Sequence, residues 1–130
     1  MRDDQQRREA ASIDEHGVRP PAAYTIRPGE DPAVIVLEGE LDIASAPELR
    51  RAVDDFTGPG LVLDFRRTTF IDSAVLKELL RARVELAERG VRLVLAGVPS
   101  AVRRLMDLTR TAELFEHADD RDAALRRLSE

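Results

Sequence analysis

The sequence predicts an α/β fold, a single domain built on a mostly parallel sheet. Three observations lead there. The chain holds three short, nearly continuous apolar runs, AVIVL at 33–37, LVLDF at 61–65 and VRLVLAG at 91–97. Runs of that length, rich in valine, isoleucine and leucine, suit strands buried on both faces. Segments with helical periodicity stand between them, and strands joined through helices need crossover connections, which make neighbouring strands parallel. Glycine, proline or a capping residue marks each change of rhythm.

Taken in order, residues 24–26 favour a short edge strand, closed by a turn around Pro28 and Gly29. The 33–37 run follows as the first core strand. Ser45 and Glu48 then have the spacing of a capping box, Pro47 is tolerated in a first turn, and Leu49, Val53 and Phe56 form an apolar stripe. This predicts a helix over 46–56, stopped by Gly58-Pro59-Gly60. After the 61–65 strand, Thr68, Thr69, Phe70 and Ile71 still favour extended chain, whereas Val75, Leu76, Leu79 and Leu80 share one side of a helix. That helix is expected over 73–89, with Gly90 ending it. Beyond the third strand, Ser100 can cap a helix carrying Val102, Leu105 and Met106, and Asp119 or Asp120 a last one carrying Ala124, Leu125 and Leu128.

With 130 residues and 43% hydrophobic content, the chain has enough apolar mass for one core and some to spare. The spare part is residues 1–22, polar and charged up to the Pro20-Pro21 break, which cannot repay the entropy of ordering and is expected to be a disordered N-terminal tail on a domain at 23–130. Twenty basic against 25 acidic residues give a formal charge of −5, which speaks against a general grip on nucleic acid. The pairs Arg103-Arg104 and Arg126-Arg127 read as solvated helix faces. The absence of cysteine excludes disulfide scaffolds and thiolate metal sites. No apolar run approaches the roughly 20 residues of a membrane span, and the first residues are charged where a signal peptide is greasy. A cytoplasmic protein is expected.

The search for catalytic chemistry returns little. The two histidines, His16 and His117, lack neighbours at metal-ligand spacing, and the scattered glycines form no phosphate-cradling loop. Neither metal nor cofactor is expected. Ser73, His117 and an aspartate can be drawn as a triad, but no nucleophile-elbow sequence surrounds Ser73, so the chain is read as a non-enzyme. Two polar corners remain. Glu40, Leu41 and Asp42 follow the first core strand, and Asp72 and Ser73 stand where the longest helix begins. A parallel sheet can bring both to the end where binding surfaces are built. A purely structural role is open to each: Asp42 closing a turn, Ser73 capping a helix.

The segments VLEGELDIASAPELRRAV, LVLDFRRTTFIDSAVLKELL and GVRLVLAGVPSAVRRLMDLTRTAELF, in that order over about residues 24–128, closely resemble the STAS domain, and especially the bacterial anti-sigma factor antagonists. The resemblance implies a small sheet with helices packed on one side. It also implies a function: such antagonists release a sigma factor by binding an anti-sigma factor that is itself a serine kinase of the histidine-kinase-like ATPase family. The kinase phosphorylates the antagonist within a motif Asp-Ser-Ser/Thr-Gly-Leu, and a phosphatase restores it. By this resemblance Ser73 is the phosphoacceptor, Asp72 precedes it, and Asp42 takes the place of the acidic residue after Gly-Glu-Leu.

The partner-binding surface is then Asp42, Asp72, Ser73, Ala74 and Lys77, on a monomer or a hetero-complex with the kinase. A phosphate at a helix start would be held by free backbone N–H groups and would repel an approaching partner beside Asp42 and Asp72. The chain departs from the motif just there, reading Ala74, Val75, Leu76 and Lys77 where Ser/Thr-Gly-Leu-Gly is usual, and it carries Arg110 where a Thr-Gly pair is common. Bulk at Val75 is expected to crowd the corner. Slower phosphorylation, an unusual kinase, or binding retained without phosphorylation all stay open, the last matching a STAS scaffold or accessory subunit of a signalling or transport assembly.

Overall fold

A computed structural model describes residues 32–130 of the chain. The expected tail and the expected strand at 24–26 lie outside the described residues. The elements are β1 (Ala33–Leu41), α1 (Ala46–Asp55), β2 (Gly60–Ile71), α2 (Ser73–Glu88), β3 (Arg92–Ala96), α3 (Ser100–Leu108), a 3-10 turn (Ala112–Leu114), β4 (Glu116–Ala118) and α4 (Arg121–Leu128). The four strands form one sheet in the order β1-β2-β3-β4, and each described pairing is parallel. The α/β class and the parallel sheet follow the sequence pattern.

One face of the sheet holds the main core. Ile35 and Leu37 of β1, Leu61, Leu63 and Phe65 of β2 and Leu95 of β3 point into it and are almost fully buried. Helices α1, α2 and α3 cover this face with Leu49 and Val53, with Leu79 and Leu86, and with Val102 and Met106. One-sided packing holds for these three helices, and α4 is the exception. Its Ala124 packs with Val62, Val94 and Ala96 in a separate cluster on the opposite face. The reason lies in β2, whose alternate residues face both ways: Val62 and Asp64 need covering as much as Leu61 and Leu63.

Asp64 fixes where α4 sits. Its carboxylate is only 2% exposed and is satisfied on both oxygens. Oδ1 accepts the Arg66 N–H at 3.0 Å, and Oδ2 accepts Nε and Nη2 of Arg121 at 3.1 and 2.9 Å. Arg121 is the first residue of α4, so this ion pair pins the helix start to the sheet. Asp120 caps the same helix by accepting the Ala123 N–H at 2.8 Å, as expected for one of the two aspartates there. At the far edge, β4 is too short to leave a pattern in the sequence. It is held by pairing with β3 and by the Arg92 guanidinium, which donates to both oxygens of Glu116 at 2.8 and 2.9 Å. That hydrogen-bonded pairing lowers the Glu116 pKa against the opposing cost of burial.

Two helices end in the same six-residue closure. At α2, the Val91 N–H reaches the Leu86 carbonyl at 2.8 Å and the Gly90 N–H the Ala87 carbonyl at 3.0 Å, with Gly90 at φ +76°. At α3, Thr111 bonds back to Met106 at 2.8 Å and Arg110 to Asp107 at 3.1 Å, with Arg110 at φ +61°. Arg110 therefore occupies the left-handed position that glycine fills without strain. This is the physical meaning of the arginine that replaces the usual Thr-Gly. The end of α1 is closed in trans: Arg89 donates to the carbonyls of Phe56 and Val53 at 3.0 and 2.9 Å.

Arg110→Gly is expected to stabilise the fold by about 0.5–1 kcal/mol, the relieved backbone strain exceeding the entropy that glycine adds to the unfolded chain; a urea midpoint that falls would count against the strained closure. Arg121→Ala should cost roughly 2–3 kcal/mol, because it strands a buried carboxylate. The pair Asp64→Leu with Arg121→Leu should unfold nearer the parent midpoint than Arg121→Ala does.

Candidate functional site

The sheet brings the two polar corners to one place. Across β1 and β2 the register begins with Ala33 opposite Leu61 and shifts twice, once between Val36 and Glu38 and once between Gly39 and Glu40, so that β2 gains two residues on β1. Gly39, at φ +82°, permits the second shift. Thr68, buried at the bulged stretch, donates its hydroxyl to the Leu37 carbonyl at 2.7 Å. The outcome is that Leu41 ends opposite Ile71. Asp42 and Asp72 therefore leave the sheet side by side, and the Asp72 N–H donates to the Leu41 carbonyl at 3.2 Å, joining the corners.

Each aspartate organises its own corner. Asp42 accepts the Ala44 N–H on its carboxylate at 3.0 Å and the N–H groups of Ser45 and Ala46 on its carbonyl at 2.8 and 3.1 Å. The capping box expected from Ser45 and Glu48 is not formed. Ser45 makes no side-chain cap, and its Oγ lies instead toward Asp42, 3.5 Å from Oδ1, because Asp42 already shapes the helix start as a turn. At the second corner the cap is Asp72, whose carboxylate accepts the Val75 N–H at 3.0 Å while its carbonyl accepts the Leu76 N–H at 3.0 Å. Ser73 is thereby released from capping, the structural role open to it. It is the first residue of α2 and is exposed. Ser100 likewise leaves the start of α3 without a side-chain cap.

The departures from the Asp-Ser-Ser/Thr-Gly-Leu motif separate by helix face. Val75 and Leu76 are buried in the core, so the expected crowding at Val75 does not arise: its bulk points inward. Ala74 and Lys77 face outward and line an open groove of about 490 Å³ between α1 and α2, with Ile43, Pro47, Arg50 and Glu78 among the other walls. Ile43 stands at 72% exposure. Sequence reasoning missed it, although an isolated β-branched apolar residue between Asp42 and Ala44, in a polar turn, was a readable signal. Arg50 was missed because it lies on the solvent side of an amphipathic helix, where arginine is unremarkable.

His117, the only histidine among the described residues, sits in β4 at the opposite edge of the sheet, its Nε2 2.9 Å from the Ala112 carbonyl. No hydrogen bond among the described residues joins it to Ser73. Among those residues no cluster of histidine and carboxylate suited to a metal occurs, and no described helix is long and apolar enough to cross a membrane.

The chain is a small α/β domain with an exposed serine on the first turn of its longest helix, beside two turn-forming aspartates. Residues 23–124 match the STAS domain family, and the chain belongs to that family. An anti-sigma-B factor antagonist of Listeria monocytogenes is 29% identical over 85 residues, which span 63% of this chain and 75% of the relative. A crystal structure of an anti-sigma factor antagonist from Mycobacterium paratuberculosis is similar at 27% identity and a TM-score of 0.66, over 83% of this chain and 94% of that one. A sulfate transporter family protein from Wolinella succinogenes shares the fold at 21% identity and a TM-score of 0.69, over 81% and 88%.

Asp72→Ala should destabilise the domain by about 1 kcal/mol through loss of the cap, and Asp72→Asn should recover most of it. Equal urea midpoints for Asp72→Ala and the parent would place the cap elsewhere.

Proposed function

We propose that this protein is an anti-sigma factor antagonist of the cytoplasm: unmodified, it binds an anti-sigma factor of the serine-kinase type and so frees a sigma factor, and phosphorylation of Ser73 switches it off. The observation that carries the reading is the exposed Ser73 at the start of α2, relieved of capping by Asp72 and set beside Asp42. The likeness to antagonists from Listeria monocytogenes and Mycobacterium paratuberculosis supports it. In the modification step the Ser73 hydroxyl attacks the terminal phosphorus of the kinase's ATP, ADP leaves, and the hydroxyl proton passes to the kinase. A phosphatase returns the serine by hydrolysis. The partner surface is Asp42, Asp72, Ser73, Ala74 and Lys77, extended by Ile43, and the protein acts as a monomer until it joins the partner.

Phosphorylation adds about −1.5 to −2 charges at a corner already bearing two carboxylates. Across about 5 Å of partly desolvated interface, repulsion of that size reaches a few kcal/mol, and each 1.4 kcal/mol is about a tenfold change in affinity. A non-phosphorylated scaffold or accessory subunit is the second reading. It is favoured by one observation, the lysine at position 77 on the exposed face where the motif has glycine.

Titration calorimetry with the anti-sigma kinase of the same cell distinguishes them. Ser73→Ala is expected to bind as the unmodified protein does, and Ser73→Glu about tenfold more weakly. Equal affinities, with no phosphoryl transfer to Ser73 from ATP, would leave the scaffold reading in its place.

A further inference from the structure

We propose that Lys77 is the intramolecular partner of the phosphate on Ser73: the modified serine and the lysine four residues on pair along the exposed side of α2, withdrawing a cation from the docking groove. This rests on the reading of Ser73 as the modified residue and deepens it.

The first turn of α2 has little left to offer a phosphate. Of its four backbone donors outside the helical ladder, the Asp72 N–H is taken by the Leu41 carbonyl and the Val75 N–H by the Asp72 carboxylate. Compensation by free N–H groups, the arrangement expected from the sequence, is thus half forestalled, and a side-chain cation has to supply the rest. Lys77 is the chain's single lysine. It is exposed and has no ion pair among the described residues.

Residues four apart on a helix stand about 5–6 Å apart at Cβ, and an acid N-terminal to a lysine is the favoured order. Position 73 followed by 77 has that order. The neighbouring acid, Glu78, lies 3.8 Å from Arg81, whose closer partner is Glu85 at 2.9 Å. Arg50, across the groove on α1, has no ion pair among the described residues either, although Asp54, Asp55 and Glu78 line the same groove beside Arg50, Arg51 and Lys77. Pairing in cis changes what the switch does. A partner carboxylate that meets Lys77 on the unmodified protein finds it occupied on the phosphorylated one, and loss of attraction adds to repulsion.

Phosphoserine placed at residue 73 during translation tests this without any kinase. The second ionisation of the phosphate, followed by phosphorus NMR, should fall lower by roughly 0.15–0.4 pH unit with Lys77 than with Lys77→Gln. Lys77→Arg should keep the lowered value. Identical titrations in all three proteins would overturn the pairing. Failure of a kinase to modify Ser73 would instead undo the functional reading and leave the titration result untouched.

Discussion

The pairing of β1 with β2 is the constraint on which the rest depends. Both strands are core strands, and both end at the site, so an error of one residue in their register would turn every side chain beyond it to the wrong face. Two bulges absorb two of the three residues by which the twelve-residue strand exceeds the nine-residue one. Thr68 satisfies a carbonyl in the bulged stretch, and the pairing closes with Leu41 against Ile71. The Asp72 N–H to Leu41 carbonyl bond then holds two loops together that lie thirty residues apart in the chain. The corner that carries Asp42, Asp72 and Ser73 is the end of a sheet ladder, and its precision is the precision of that ladder.

At this corner the structural demands and the proposed modification fall on adjacent residues and are kept apart. Asp42 and Asp72 spend hydrogen bonds on turning the chain and starting helices, which fixes their carboxylates. Ser73 spends none on the cap and stays in water. Such division suits a protein whose surface is to be changed by one covalent group, since adding it need not unfold the helix it sits on. The same logic holds on α2, where Val75 and Leu76 face the core and Ala74 and Lys77 the groove. Of the three residues that depart from the family motif, Ala74 and Lys77 reach the surface and Val75 packs in the core.

The second face of the sheet obeys a different rule. Asp64 is a buried charge in a strand otherwise read as apolar, and it is tolerated because Arg121 comes from α4 to meet it. The ion pair and the small cluster around Ala124 together set the last helix on the face opposite the other three. Charge selects the position there and apolar contact fills it.

Much of the fold was legible in the residue order alone. The buried runs at 33–37, 61–65 and 91–97 and the helical stripes between them dictate an α/β sandwich of parallel strands, because periodicity and branching are local properties. The Asp-Ser pair at the head of α2 and the acid after Gly-Glu-Leu stood out only as polar corners beside apolar runs, and their role came from the resemblance to the antagonists. What only the tertiary structure decided is everything that depends on who meets whom across the chain. Asp72 and not Ser73 caps α2, Ser45 turns to Asp42, Val75 points inward, Arg110 bears a left-handed closure, and α4 crosses to the far face. Local sequence names the candidates for each role, but a hydrogen bond or an ion pair needs a partner, and the partner's position is a property of the folded sheet.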